Sequence, residues 1–296
     1  MVLGRASTAT RLWNPDALLA WFGGTSMVTS TPRLGLALAV AWLLLGSRAH
    51  GQTDANGEVV ISTDRPAVSN SSVVVPRGSL EIENGFLATD TDGAYLADFP
   101  ESNVRYGLLG KTELRLSVPD YFLHLPSGSG TTSGFGDLAL GVKQQVGPFG
   151  GFDLSAIVFV SFPTGASGVS SGGYDPGLQL PWSYKVSAKW TAGGQVAFYW
   201  PTLAQQHNFT GETAFFLDRQ FGKPWDAFME YAGDFPDRGG SRQVLHFGTA
   251  YKLTPHQQID FHVAVGISGA AAKNYIGVGY SVCFCRGNRE GAVPKQ

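Results

Sequence analysis

The sequence predicts an all-β protein, a transmembrane antiparallel β-barrel of about 12 strands preceded by a cleaved signal peptide. Three observations carry this. About a dozen segments of roughly ten residues alternate large apolar side chains with small or polar ones, the period-two pattern of a strand between unlike environments. The connections between them alternate in length. Aromatic residues gather at the segment ends, where a membrane meets water.

The elements follow in order. Residues 34–46, "LGLALAVAWLLLG", form the longest apolar run, with Arg33 before it and "SRAHG" after it. A positive flank, a short apolar core and small residues at Ala49 and Gly51 describe a secretory signal cleaved after Gly51. Met27 gives a normal start for such a signal, and a short membrane anchor is the alternative. Removing residues 1–51 leaves 17 basic and 22 acidic residues, a net of −5. That balance and the export signal exclude a nucleic-acid surface, which needs clustered Lys and Arg. Residues 52–78 are irregular and polar, expected either to reach into the periplasm or to plug the lumen.

The strands then run 79–88, 103–109, 112–118, 136–144, 152–162, 174–184, 190–200, 211–219, 225–233, 243–252, 258–267 and 275–284. An even count suits a single-chain outer-membrane barrel with both termini on the periplasmic side. The odd connections (89–102, 123–135, 163–173, 201–208, 234–241, 268–273) are mostly long and rich in Gly, Ser, Thr, Pro and Asp. The even ones, Gly110-Lys111, "VGPFG", "KVSAK", "QFGKP" and "LTPH", are short. Phe162, Trp182, Tyr184, Trp190, Trp200, Trp225, Tyr251 and Phe284 fall at strand ends and are expected at the membrane interfaces. Residues 285–296 form a polar tail. Cys283 and Cys285 read as incidental small residues, too far apart along a strand to pair.

The alternation places the mid-strand charges on the lumen face, where they avoid the roughly 2–4 kcal/mol that a Lys or Arg costs at mid-bilayer. Glu81, Glu83, Arg105, Glu113, Arg115, Asp137 and Lys143 mix both signs over four consecutive strands. They suit either a transverse field at a constriction or cross-strand ion pairs that stiffen the wall. Asp153, Asp218, Asp226, Glu230 and Asp260 share that face. Ile157, Phe159, Tyr199, Phe216 and Phe228 also point inward, as a greasy path or as packing around a plug. His246 and His262 are expected directly opposite one another, with Asp260 nearby. They form either a weak metal site or a hydrogen-bonded wall.

The stretches "TDRPAVSNSSVVVPRGSLEIENG" (63–85), "SGFGDLALGVKQQ" (133–145), "SSGGYDPGLQLPW" (170–182), "KPWDAFMEYAGDFPDRGG" (223–240) and "YIGVGYSVCF" (275–284) resemble the outer-membrane transporter family labelled "MetA-pathway of phenol degradation". The resemblance implies a bacterial outer-membrane channel that passes small solutes, aromatic or hydrophobic compounds among them. The terminal cysteines and polar tail depart from the family's ending. The partners expected are outer-membrane lipid, the barrel-assembly machinery and a small-molecule solute. No cofactor and no catalytic residue are expected, and the sequence sets no oligomeric state. The alternatives are a non-transporting surface or binding barrel and a lipid-acting outer-membrane hydrolase. The latter lacks a GxSxG motif, and His124, His207 and His256 fall in loops or turns.

Overall fold

In the computed structural model, residues 59–128 and 130–285 are described. The signal segment, residues 52–58 and most of the polar tail lie outside them. Among the described residues the only regular elements are strands: β1 (Leu80–Thr91), β2 (Ala94–Phe99), β3 (Asn103–Leu109), β4 (Thr112–Ser117), β5 (Tyr121–Pro126), β6 (Thr132–Phe135), β7 (Leu138–Gln145), β8 (Phe152–Phe162), β9 (Asp175–Lys185), β10 (Trp190–Tyr199), β11 (Thr202–Leu203), β12 (Gln206–His207), β13 (Thr210–Gln220), β14 (Trp225–Pro236), β15 (Arg242–Thr254), β16 (Gln257–Gly266) and β17 (Asn274–Phe284). Each neighbouring pair is antiparallel, and β17 pairs back onto β1 from Leu80↔Phe284 to Asp90↔Asn274. The sheet is therefore closed, with no free edge to satisfy.

The closed cylinder has 12 staves, because three of them are each built from two short strands. β1 pairs first with β3 (Leu80↔Tyr106 to Glu83↔Asn103) and then with β2 (Leu87↔Asp98 to Thr91↔Ala94). The interruption between them is Pro100-Glu101-Ser102, with Glu101 at φ 46°. The next stave breaks at residues 118–120 between β4 and β5, and the third at residues 136–137 between β6 and β7. The stretches 89–102 and 123–135, expected as long loops, are thus largely strand, with a tight turn at residues 92–93 between β1 and β2. The physical reason lies in "AYLADF". Tyr95 and Phe99 point outward and Asp98 inward, the same alternation as the rest of the barrel, hidden in sequence by Gly93 and Pro100.

The outward face is apolar throughout: Phe86, Leu114, Val158, Phe215, Met229, Phe261, Ile276, Val278 and Tyr280 all project from the cylinder. The inward face carries the charges, Glu81, Glu83, Arg105, Glu113 and Lys143 being fully buried there. One end of the barrel has the short turns at residues 110–111, 146–151, 186–189, 221–224 and 255–256. The longer connections, 163–174, 200–209 and 267–273, lie at the other. At the short-turn end, Tyr184, Trp225, Tyr251 and Phe284 are exposed on the outside, while Trp182 stacks on Phe152 and Trp190 lies under Arg219. At the far end, Trp200 is exposed and Phe162 packs edge-on to Tyr174.

The cysteines form a disulfide, with Cα atoms 5.1 Å apart. β17 ends at Phe284, so Cys285 leaves the extended path and the two-residue separation of a continuous strand, about 6.6–6.8 Å, does not apply.

Candidate functional site

The site is the lumen and the segment inside it. Ile61 N donates to Pro255 O at the short-turn end (2.8 Å), and Arg77 bridges to Gly107 at the same end. Between these two points the chain rises into the bore, crosses it and returns to begin β1. Residues 64–75 lack a sheet of their own, so their backbone N–H groups need other acceptors. The wall supplies them as side chains. Glu83 accepts from Asp64 N (2.8 Å) and Arg65 N (3.1 Å). Glu230, on β14, accepts from Val68 N (2.7 Å), Ser69 N (2.9 Å) and Ser69 Oγ (2.7 Å). Gln195 accepts from Asn70 N (3.1 Å), and Glu113 from Val75 N (2.8 Å). Ser155 Oγ donates to Ser72 O (2.5 Å). Along its length the crosspiece touches β1, β14, β10, β8 and β4 in turn and so spans the lumen.

Below it lies an ionic knot. Arg105 donates to Glu81 (2.7 Å), Glu83 (2.9 Å) and both oxygens of Glu113 (2.8 and 3.0 Å), and also to Ser62 O of the inner segment (2.8 Å). Arg115 pairs with Glu113 (2.9 Å) and with Asp64, and Lys143 Nζ lies 3.7 Å from Asp64. Cross-strand pairing alone brings Arg105 opposite Glu81 and Arg115, and Glu113 opposite Lys143. Buried charges of this kind persist only when paired and hydrogen-bonded on all sides. Here Asp64 completes the set.

Arg65 fixes the other end of the crosspiece. Its guanidinium donates to Glu101 (2.7 Å), Asp260 (3.4 Å) and Val278 O (3.2 Å). Burial works against its charge, but the two carboxylates override it and hold the guanidinium above its ordinary range. The group lies over Gly85 and Gly279, which face each other across the β1–β17 seam. A Cβ on either would come within 2.3 Å of it.

The histidines are arranged differently from the sequence expectation. The hairpin turns at residues 255–256, with a bulge between Lys252 and Thr254, so His246 faces Ala264 and His262 faces Gly248. The rings still meet diagonally, His246 Nε2 to His262 Nδ1 at 3.0 Å. His246 Nδ1 bonds Glu230 (2.9 Å), not Asp260, which turns to Arg65 instead. Among the described residues no group of three His, Cys, Asp or Glu is disposed to hold a metal ion.

The remaining inward residues fall into smaller sets. Asp153 accepts from Gln145 (3.2 Å), and Asp226 lies 3.4 Å from Lys252. Asp218 is half-buried on the same wall. Phe159 packs with Ile157, Ala197 and Tyr199, whose hydroxyl donates to Glu212 (3.2 Å). Phe216, Phe228 and Phe159 cover Gly193, Gly248 and Gly177. Asp137 stands apart from the ionic knot with which the sequence grouped it. It accepts from Gly165 N (2.8 Å) and Ser171 N (2.9 Å) and pins loop 163–174 over the barrel mouth. His124 belongs to β5 and His207 to β12, where the sequence expected loops.

Sequence reasoning missed Asp64, Arg65 and Glu101, and the wall amides Gln145, Gln179 and Gln195. The glutamines were visible as inward positions of their strands. Asp64 and Arg65 had no periodicity to reveal them.

A closed, lumen-filled cylinder with an apolar exterior defines an outer-membrane-type β-barrel. Residues 63–284 match the family described as "Putative MetA-pathway of phenol degradation", and the chain belongs to that family. Among solved structures, an outer membrane channel from Pseudomonas putida F1 is similar in fold, with a TM-score of 0.54 at 15% identity. The match covers 72% of this chain and 98% of that one. The KdgM porin matches with a TM-score of 0.46 at 10% identity over 69% of this chain and 98% of its own. The CymD monoaromatic hydrocarbon channel matches at 0.40 and 11% over 71% and 89%. No curated protein sequence matches this one.

Proposed function

We propose that the protein is an outer-membrane channel for small solutes with a hydrophobic or aromatic part, held shut in this structure by residues 59–78. The observation that carries this reading is the way the inner segment is bound. It is joined to the wall by side-chain hydrogen bonds and ion pairs, not by a continuous ladder, so it can leave while the cylinder stays closed. Around Val68 of the segment, the wall residues Leu87, Ala214, Ala232, Val244, Ala264 and Tyr275 form an apolar inner surface. That surface suits solutes with little charge. Glu81, Glu83, Arg105, Glu113, Arg115 and Lys143 then act first as the seat of the plug and line the pore once it has moved. An export signal at residues 1–51, insertion by the barrel-assembly machinery and a lipid annulus around the outward face belong to the same reading. An enzymatic role finds little support: the His246 ring is occupied by Glu230 and His262, and His207 bonds Trp200 O.

Planar-bilayer recording and liposome swelling test the proposal, comparing the chain from residue 52 with one starting at residue 79. The truncated protein is expected to conduct several-fold more than the full one and to admit neutral and aromatic solutes. Equal exclusion by both forms would overturn the channel reading.

A further inference from the structure

The basic residues at the short-turn end are not spread evenly around the rim. The turn at residues 146–151 holds none, Lys111 stands alone in its own turn, and Lys252 is taken up by Asp226. The turns at 186–189 and 221–224 are different. They are neighbours, because β10 pairs directly with β13 and Gln220 N donates to Lys189 O (2.9 Å). With the strand ends beside them they carry Lys189, Arg219 and Lys223, all exposed. The adjoining carboxylates, Asp218 and Asp226, occupy inward positions of their strands.

Arg219 is the centre of the group. It continues the outward series of Phe215 and Leu217 and lies directly opposite Trp190 across the β10–β13 pair. Its guanidinium carbon is 5.2 Å from the Trp190 ring centre and 5.0 Å from that of Phe221, which packs on Trp225 at 5.2 Å. Among the described residues no side chain or carbonyl accepts a hydrogen bond from it. Two aromatic faces thus steady the cation while its N–H fork stays open, so little rotamer freedom remains to be lost when a partner binds. Val186, Phe221 and Trp225 are exposed around it. Apolar rings and cations at one level suit the headgroup layer of a membrane, where the rings turn to the acyl chains and the charges to phosphate.

We propose that Arg219, Lys189 and Lys223 form a headgroup site for an anionic phospholipid in the leaflet at the short-turn end. Arg219 takes two oxygens of the phosphate diester, the geometry its planar fork matches, and the lysines meet the remaining negative field. An acidic protein is a poorer match, because Arg219 and Trp190 lie on the lipid-facing side, in line with Phe215. The inference needs only that the barrel lies in a membrane, and it holds whether or not the lumen conducts.

Tryptophan quenching by brominated lipids tests it in vesicles. The chain from residue 52 has four tryptophans, and a Trp200→Phe background leaves Trp182, Trp190 and Trp225, all at the short-turn end. Phosphatidylglycerol or phosphatidylcholine with brominated chains is supplied as a minority in unbrominated phosphatidylcholine, and the two quenching curves give a relative binding constant. A preference for phosphatidylglycerol of about fivefold or more is expected, the scale of one basic residue at an anionic surface. Arg219→Gln should bring the ratio close to one. Arg219→Lys, which keeps the charge and loses the fork, should retain only part of it, and Lys189→Gln with Lys223→Gln should lower it. Lys111→Gln, on a separate turn, should leave it intact. Heat-modifiable migration confirms that each variant is folded. Equal quenching by both lipids in the Trp200→Phe protein, or a preference that survives Arg219→Gln, would overturn the site. So would a loss in Lys111→Gln as large as in Arg219→Gln, since diffuse surface charge then accounts for the attraction.

Discussion

Gly279 shows how much one missing methyl group can decide. On β17 the large residues Ile276, Val278 and Tyr280 face outward, and Gly277, Gly279 and Ser281 face in. The small residues leave space that other side chains fill: His262 lies over Gly277, and Arg65 and Asp260 lie over Gly279. Gly279→Ala would place a Cβ 2.3 Å from Arg65 Nε and 2.6 Å from Asp260 Oδ2. Both are ends of flexible side chains, so the barrel should survive while Arg65 lifts from its seat. Hydrogen exchange of the Asp64–Asn70 amides should speed up about tenfold, the equivalent of ~1.4 kcal/mol. Gly107→Ala is a harsher change, because its Cβ would meet Pro76 O at 2.1 Å and the main chain itself must move. Period-two alternation made the small inward face of β17 legible in the sequence. The occupant of the space was not, since Arg65 lies outside every periodic segment and its partners are up to 213 residues away.

At the scale of elements, the segment 59–78 and the wall complete one another. Glu230 satisfies two backbone N–H groups and one hydroxyl of the plug, and holds His246 as well. Glu230→Ala leaves those donors buried without an acceptor, at a cost of about 1–3 kcal/mol for each unsatisfied group. The expected result is a released plug on a folded barrel, seen as raised bilayer conductance with unchanged heat-modifiable migration on gels. Arg105→Ala is expected to behave differently. It strands Glu81, Glu83 and Glu113 together in the bore and should lower barrel stability by about 3–5 kcal/mol, measured by urea titration in lipid vesicles. The inward direction of these charges could be read from strand alternation alone. Their role could not, because it depends on where an aperiodic segment comes to rest. The broken staves were missed for a related reason: Pro100 and Pro119 look like loop residues in sequence, yet each sits in a short interruption between strands of one stave.

For the whole molecule, the exterior is the clearest thing in the sequence, because lipid imposes the same demand on every stave. Val278→Arg would put a guanidinium on that exterior at the β1–β17 seam, opposite Phe86. A destabilisation of about 2–4 kcal/mol is expected in lipid vesicles, and a much smaller one in detergent, where snorkelling is easy. The Cys283–Cys285 disulfide encloses a single residue, so it removes little freedom from the unfolded chain. Cys283→Ser should therefore leave vesicle unfolding midpoints nearly unchanged. The sequence also carried the family resemblance through most of the mature chain, whereas the diagonal meeting of His246 and His262 depended on a bulge that no pattern announces.

The inner segment enters and leaves through the same end of the cylinder, anchored at Ile61–Pro255 on one side and Arg77–Gly107 on the other. Tension applied to the polypeptide upstream of Val59 would reach its attachments one after another, beginning with Ile61 and ending near Val75. Bonds loaded in series part at far lower force than bonds sheared together, so a modest pull at that end of the cylinder would unzip the segment from the wall.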